Sequence, residues 1–423
     1  MRIVLALLLN AALLFALSRW LRAQYQQPTL RDWLGLLLLL KLGVTAVTWW
    51  RLTGDAVLFQ GWASLLTEQL WAAPSAWLQT LGSETFSFQK YRLVYHGFSN
   101  TFFLIKLLSA VNLLSLGNAL LNACYLSLFC FVGSWQLVRA VEQVFPAAPR
   151  GAAVVAFGLW PTVLYWSSGL TKESVLVGSS AWLLALVLRW YYGGEPFPRL
   201  QVLWLLVLVV LFFKMRFFFA ALLLGALAAL GIVRVAQQLG GRLSRWSQVV
   251  LMALVLSAGA WATSEVLPTF RFNKFTSQLI RNYSDLRANS LSRPHIEFDD
   301  LAPTGASIAR NAPLAIGYAL TRPWPWEFHN LTYVAAGLEN MALLVLLVVA
   351  GVALVQGQGR SGTLPFALVL ALLFYCVVLA ALLGLSTPNL GTLSRYRVVL
   401  LPYLLLLLLQ NQYIASWLNR WFR

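Results

Sequence analysis

WLGLLLLLKLGVTAVTWWRLTGDAVLFQ, residues 33–60, decides how the whole chain is read. Residues 33–50 form an apolar run broken only by Lys41 and closed by Trp49 and Trp50. A run of that length with indoles at its end reads as a membrane span that stops at the interface. After Arg51 the chain turns polar, and Asp55 heads a stretch to Leu81 with apolar residues at helical spacing: Leu58, Phe59, Trp62, Leu65, Leu66 and Leu70. Such spacing predicts an amphipathic helix lying on the outer membrane face. Asp55 then has two readings of equal weight. It is the N-cap of that helix, or it is a carboxylate that takes a proton from a hydroxyl or holds a divalent cation.

The pattern repeats along the chain. Of 423 residues, 60% are hydrophobic and 11% charged, where a soluble domain would carry about a quarter charged. With a mean hydropathy of +0.72 this is an all-α polytopic membrane protein. Spans are expected at 3–18, 33–50, 118–138, 151–166, 174–189, 200–213, 217–233, 248–266, 336–356, 364–384 and 397–413, about eleven in all. Residues 3–18 resemble a signal peptide, but Arg19 and Arg22 follow a long run without a small-x-small cleavage site, so a retained first span is expected. The three cysteines (Cys124, Cys130 and Cys376) lie in apolar runs without metal spacing and read as core residues.

Charge sets the orientation. The net charge of +17 is scattered over short loops and forms no dense basic tract, which argues against nucleic acid as a partner. Segment 100–117, with Lys106 in its middle, is read as a surface helix. The basic loops after 138, at 190–199 and at 234–247 then fall inside with Arg19, Arg22, Arg31, Arg360, Arg420 and Arg423, as the positive-inside rule asks. This puts the N-terminus outside and the C-terminus in the cytoplasm. The single transmembrane domain, 1–423, carries two large outer loops, 51–117 and 267–335. Three small ones are SSGLTKES (167–174), KMR (214–216) and STPNLGTLSRYR (385–396).

Five cations stand outside against that rule: Lys172, Lys214, Arg216, Arg395 and Arg397. At headgroup depth they suit the phosphate of a lipid-linked substrate. Snorkelling to ordinary headgroups explains any one of them, but three separate hairpins favour a shared site. Glu173 adjoins Lys172. HIEFDD (His295, Glu297, Asp299, Asp300) alternates metal-competent side chains, although a solvated loop is the better reading. His96 and His329 are given no role. No P-loop, G-x-S-x-G, H-E-x-x-H or dinucleotide fingerprint is present, and the inside loops are too short for a nucleotide site.

Four stretches carry a resemblance: GDAVLFQGWASLL (54–66), FFLIKLLSAVNLLSLGNALLNACYLSLFCFVGSWQLVRAV (102–141), PTVLYWSSGLTKESVLVG (161–178), and the basic pair FFKMRFF (212–218) and NLGTLSRYRVVLLP (389–402). In layout the chain resembles the GT-C superfamily of polytopic glycosyltransferases, nearest the bacterial protein-mannosyltransferase and lipid A sugar-transferase branch. The resemblance implies an enzyme of the bacterial inner membrane that moves a sugar from a polyprenyl-phosphate donor to a lipid or glycan acceptor. By it Asp55 is the base, Lys214, Arg216, Arg395 and Arg397 neutralise the donor phosphate, and Lys172 and Glu173 line the same cavity. The resemblance fixes no cofactor; a divalent cation at Asp55 is the one the chemistry admits. The family's acidic signature is often a carboxylate pair, and here Ala56 follows Asp55.

Two other classes fit in part. An O-antigen-type polymerase or ligase shares the large late outer loop and the outer arginines. A transporter or flippase of lipid-linked substrates would need charged residues within spans and broken, repeated helices. Lys41 is one of few such residues.

Overall fold

The computed structural model describes all residues except 28, 29, 96, 98, 195, 197, 359–363 and 423. His96, Arg360 and Arg423 therefore lie outside the described residues. In chain order the elements are α1 (Arg2–Tyr25), α2 (Arg31–Trp50), α3 (Gly54–Ala72), α4 (Pro74–Gly82), β1 (Thr85–Phe88), β2 (Tyr91–Val94), α5 (Asn100–Ser115) and α6 (Ala119–Val144). There follow α7 (Ala152–Val154), a π-helical turn (Val155–Leu159), α8 (Pro161–Trp166), α9 (Lys172–Tyr192), α10 (Arg199–Met215), α11 (Phe217–Gly240) and α12 (Arg245–Val266). The last are α13 (Phe272–Ala288), α14 (Gly305–Thr321), α15 (Leu331–Val355), α16 (Phe366–Ser386), α17 (Leu390–Tyr396), α18 (Leu401–Leu408) and α19 (Gln412–Trp421).

Among the described residues eight helices are long and apolar enough to cross a membrane: α1, α2, α6, α9, α11, α12, α15 and α16. The pair around α17 and α18, bent by 63°, makes a ninth if counted as one span. The other expected runs take other forms. Residues 151–166 break at the π-helical turn and at Pro161, whose missing N–H and fixed φ start a new helix. Residues 199–215 form α10, of 17 residues.

The centre is the α6–α9 pair. Gly133 and Gly178 face each other so closely that a Cβ on either would collide with the opposing backbone. That glycine contact lets two backbones approach where lipid supplies no hydrophobic drive. α1 and α12 are peripheral and turn apolar side chains outward.

In the first outer loop the helix expected from Asp55 to Leu81 is divided in two. α3 ends at Ala72 with Ala73 as its C-cap, and Pro74 opens α4 at its first turn. A two-stranded antiparallel hairpin follows, with Phe86 opposite Leu93. α5 packs on α3, and a left-handed turn at Leu116–Gly117 leads into α6.

The second outer loop is a buttress. α14 lies along α16, where Gly384 admits the Ala315 backbone. The HIEFDD segment is a loop with Glu297, Asp299 and Asp300 exposed, as expected, and at His295 it makes a short antiparallel bridge to the start of α17. Ile296 N–H donates to Pro388 O (2.9 Å), and Leu390 N–H donates to Pro294 O (3.1 Å).

Candidate functional site

Each charged group at the site sits at the helix end that suits its sign. Asp55 lies in the first turn of α3 and Glu173 in the first turn of α9, where unpaired backbone N–H groups favour anions. Arg395 lies in the last turn of α17, where carbonyls favour a cation. The N-caps are neutral side chains: Thr53 for α3, Thr171 for α9 and Asn389 for α17. The cap reading of Asp55 is therefore corrected. Thr53 accepts the Ala56 N–H, and the Asp55 carboxylate is left to other work.

That work is a bridge across the fold. Arg395 Nη1 donates to Asp55 Oδ2 at 2.9 Å, joining residues 340 apart in sequence. Its Nε lies 2.9 Å from Glu173 Oε2. The second contact is an ion pair by distance, but its angle does not meet hydrogen-bond geometry, and Glu173 Oε1 is buried without a donor. Glu173 is 1% exposed and Asp55 59%, so one guanidinium holds a buried carboxylate and an open one.

Two further cations flank the bridge. Arg216, in the break between α10 and α11, stacks its guanidinium 3.9 Å above the Tyr396 ring, and its Nε is buried without a hydrogen bond. Lys172 Nζ donates to Asn100 Oδ1 (2.7 Å) and Thr101 Oγ1 (2.8 Å), which ties the start of α9 to the start of α5. Two of the expected cations sit elsewhere. Lys214, on the last turn of α10, lies beside Lys106, which donates to Leu81 O and Ser83 O. Burial first, and the Lys214 charge second, push the Lys106 ammonium down, while Glu84 opposes them. Arg397 turns into the bundle, 1% exposed, with Nε and both Nη atoms free of hydrogen bonds. The carboxylate whose field reaches it is Glu339 of α15, which accepts the Thr162 N–H at 3.0 Å.

A cavity of about 340 Å³ opens at Arg216 and Tyr396, lined also by Gln278, Asn282 and Asp285 of α13 and by Ser386 and Thr387. An apolar groove of about 430 Å³ between α11, α12 and α16 shares Phe218, Phe275 and Leu382 with it. A chamber of mixed polar and apolar walls therefore adjoins an apolar one. Sequence reasoning missed Tyr396, α13 and Glu339. Only Glu339 gave a signal, a lone acid inside an apolar run.

The donor set does not fit a divalent cation. The Arg395 guanidinium occupies the space between the two carboxylates, and among the described residues no three His, Cys, Asp or Glu side chains come together. Glu297 is engaged by Arg287 and His295, and Asp300 by Arg310 and Asn311. No protein-family model matches the chain, and comparisons with curated proteins and with solved structures give no match.

Proposed function

We propose that the chain is a membrane glycosyltransferase that transfers a sugar from a polyprenyl-phosphate donor to a lipid or glycan hydroxyl at the outer face of a bacterial inner membrane. One observation carries the reading. Arg216 lines a mixed polar and apolar cavity that adjoins an apolar groove through Phe218, Phe275 and Leu382, and Tyr396 under its guanidinium follows Arg395 of the Asp55–Arg395–Glu173 bridge. A ligand with an anionic head and a long apolar tail suits that shape. With the eleven-span topology, N-terminus outside, the cluster faces the outer leaflet.

The chemistry follows from the groups present. The acceptor oxygen attacks the anomeric carbon as the bond from that carbon to the phosphate oxygen breaks. The electron pair leaves on the polyprenyl phosphate, whose growing charge Arg216 and Arg395 stabilise. The acceptor proton passes to Asp55, the more open of the two carboxylates. Arg395 must loosen its hold on Asp55 as it turns to the phosphate, so donor arrival and base release are linked.

The test compares wild type, Asp55→Asn and Arg216→Ala in membranes supplied with a labelled polyprenyl-phosphate sugar. Loss of transfer in both variants at normal protein levels supports the reading. Loss in Arg216→Ala alone moves it to the polymerase or ligase class, which the contribution of α13 to the cavity favours as the second reading. Equal transfer in all three removes both.

A further inference from the structure

Lys41 lies midway along α2, nine residues from Trp50, or about 14 Å along the helix axis. It is 5% exposed, and among the described residues no carboxylate lies within ion-pair distance of it. An ammonium buried at that depth without a counter-charge is expensive, so what it does needs an answer. Its protons go to the backbone O of Ser167, to Ser167 Oγ at 2.7 Å and to Cys130 Sγ at 3.6 Å. Ser167 is the C-cap of α8, so the ammonium also meets the carbonyl end of that helix.

The loop it grips, residues 167–171, was expected on the outer surface. The structure instead buries Ser167, Ser168, Gly169 and Leu170. Irregular backbone inside a membrane bundle stands only where protein satisfies its polar groups. A second tie does this one turn of α2 nearer Trp50. Gly169 N–H donates to Ser127 Oγ (2.7 Å), which accepts from Thr45 Oγ1 (2.8 Å). Gly169, at φ +88°, lies against Thr48, so the loop has no room to shift toward α2. Immediately after the loop come Lys172 and Glu173.

We infer that Lys41 is a positioning residue: its grip on Ser167 fixes the 167–171 loop and so places the buried Glu173 carboxylate against Arg395. The activity arm of the test rests on the glycosyl-transfer reading, and a labelling arm does not. Leu170→Cys is introduced and its reaction with a membrane-impermeant maleimide followed, against the parent chain with its three native cysteines. Buried Leu170 predicts slow labelling, faster when Lys41→Met is added, and slow again with Lys41→Arg, which keeps a charged donor. In transfer assays Lys41→Met lowers kcat about 10²-fold, the cost of a misplacement of about 1 Å. KM for the donor stays unchanged, because Arg216 is held by α10, α11 and Tyr396. Slow labelling in Lys41→Met overturns the inference, and so does fast labelling with kcat intact. If wild type transfers no sugar, the glycosyl-transfer reading fails and the labelling arm alone decides on Lys41. Should Lys41→Met not accumulate, Ser167→Ala, which removes one of the two Ser167 oxygens the ammonium holds, is read in the same way with a smaller rise in labelling.

Discussion

Arg395 and Arg397 are two residues apart and have opposite fates. Arg395 is 16% exposed and spends its charge on Asp55 and Glu173 beside an open cavity. Arg397 is buried, with no hydrogen bond to its nitrogens and Glu339 as the opposing charge. The cause is local geometry. α17 ends at Tyr396, and the short 3-10 turn Arg397–Val399 rotates the next side chains into the bundle ahead of the 63° bend. Position in a basic hairpin therefore does not tell a cation that bridges two carboxylates from one turned into the bundle; the faces of the turn do.

The strongest way to break this contrast is at Arg397. Arg397→Ala leaves a cavity in place of a fully buried side chain and removes the charge whose field reaches half-buried Glu339, at a cost of about 3–5 kcal/mol, read by unfolding in detergent. Arg397→Met with Glu339→Leu recovers most of that stability and keeps sugar transfer. Loss of transfer in the stable double variant would bring Arg397 into the site and end the distinction.

The next effect is smaller. Arg395→Ala strands the Glu173 carboxylate and costs about 1–3 kcal/mol along with transfer. Adding Glu173→Gln restores the stability and not the transfer, because the neutral amide tolerates burial but completes no ion bridge. Recovery of both would make the bridge purely structural.

Asp55 sharpens the picture at its exposed end. Asp55→Asn changes stability by less than about 1 kcal/mol, as for a solvent-exposed ion pair, while transfer falls by at least about 10²-fold. A thermal scan beside the labelled-sugar assay reads both. The smallest effect is at the buttress. The hydrogen bonds from Arg287 and then His295 hold Glu297 below the usual carboxylate range. A depressed acid lends stability above its unfolded value and loses it as the pH falls through the folded one. Amide exchange near the end of α13 should therefore quicken only in acid below the ordinary glutamate range, and Glu297→Gln should abolish that dependence.

Much of this architecture can be read from the residues. α2, α6, α9, α11, α15 and α16 each hold an apolar run long enough to span, and run length is a strong signal in a membrane protein. The break in 151–166 was less visible, because Gly158 and Pro161 interrupt the helix without interrupting the apolar run. The β1–β2 hairpin is two strands of four residues, too short for a clear alternation. At the site, sequence singled out Asp55, Lys172, Glu173, Arg216 and Arg395 from their charge in outer hairpins. Two things were beyond it. Thr53 and Asp55 are both good caps two residues apart, and only the backbone decides which one serves. The depth of SSGLT depends on Lys41, a residue 126 positions earlier.

The bridge also has an order of assembly. Asp55 and Glu173 leave the ribosome long before Arg395, their common partner, which follows the first by 340 residues. Until the 388–390 segment pairs with Pro294–Ile296 and α17 is in place, Glu173 lacks the guanidinium that faces it in the finished fold.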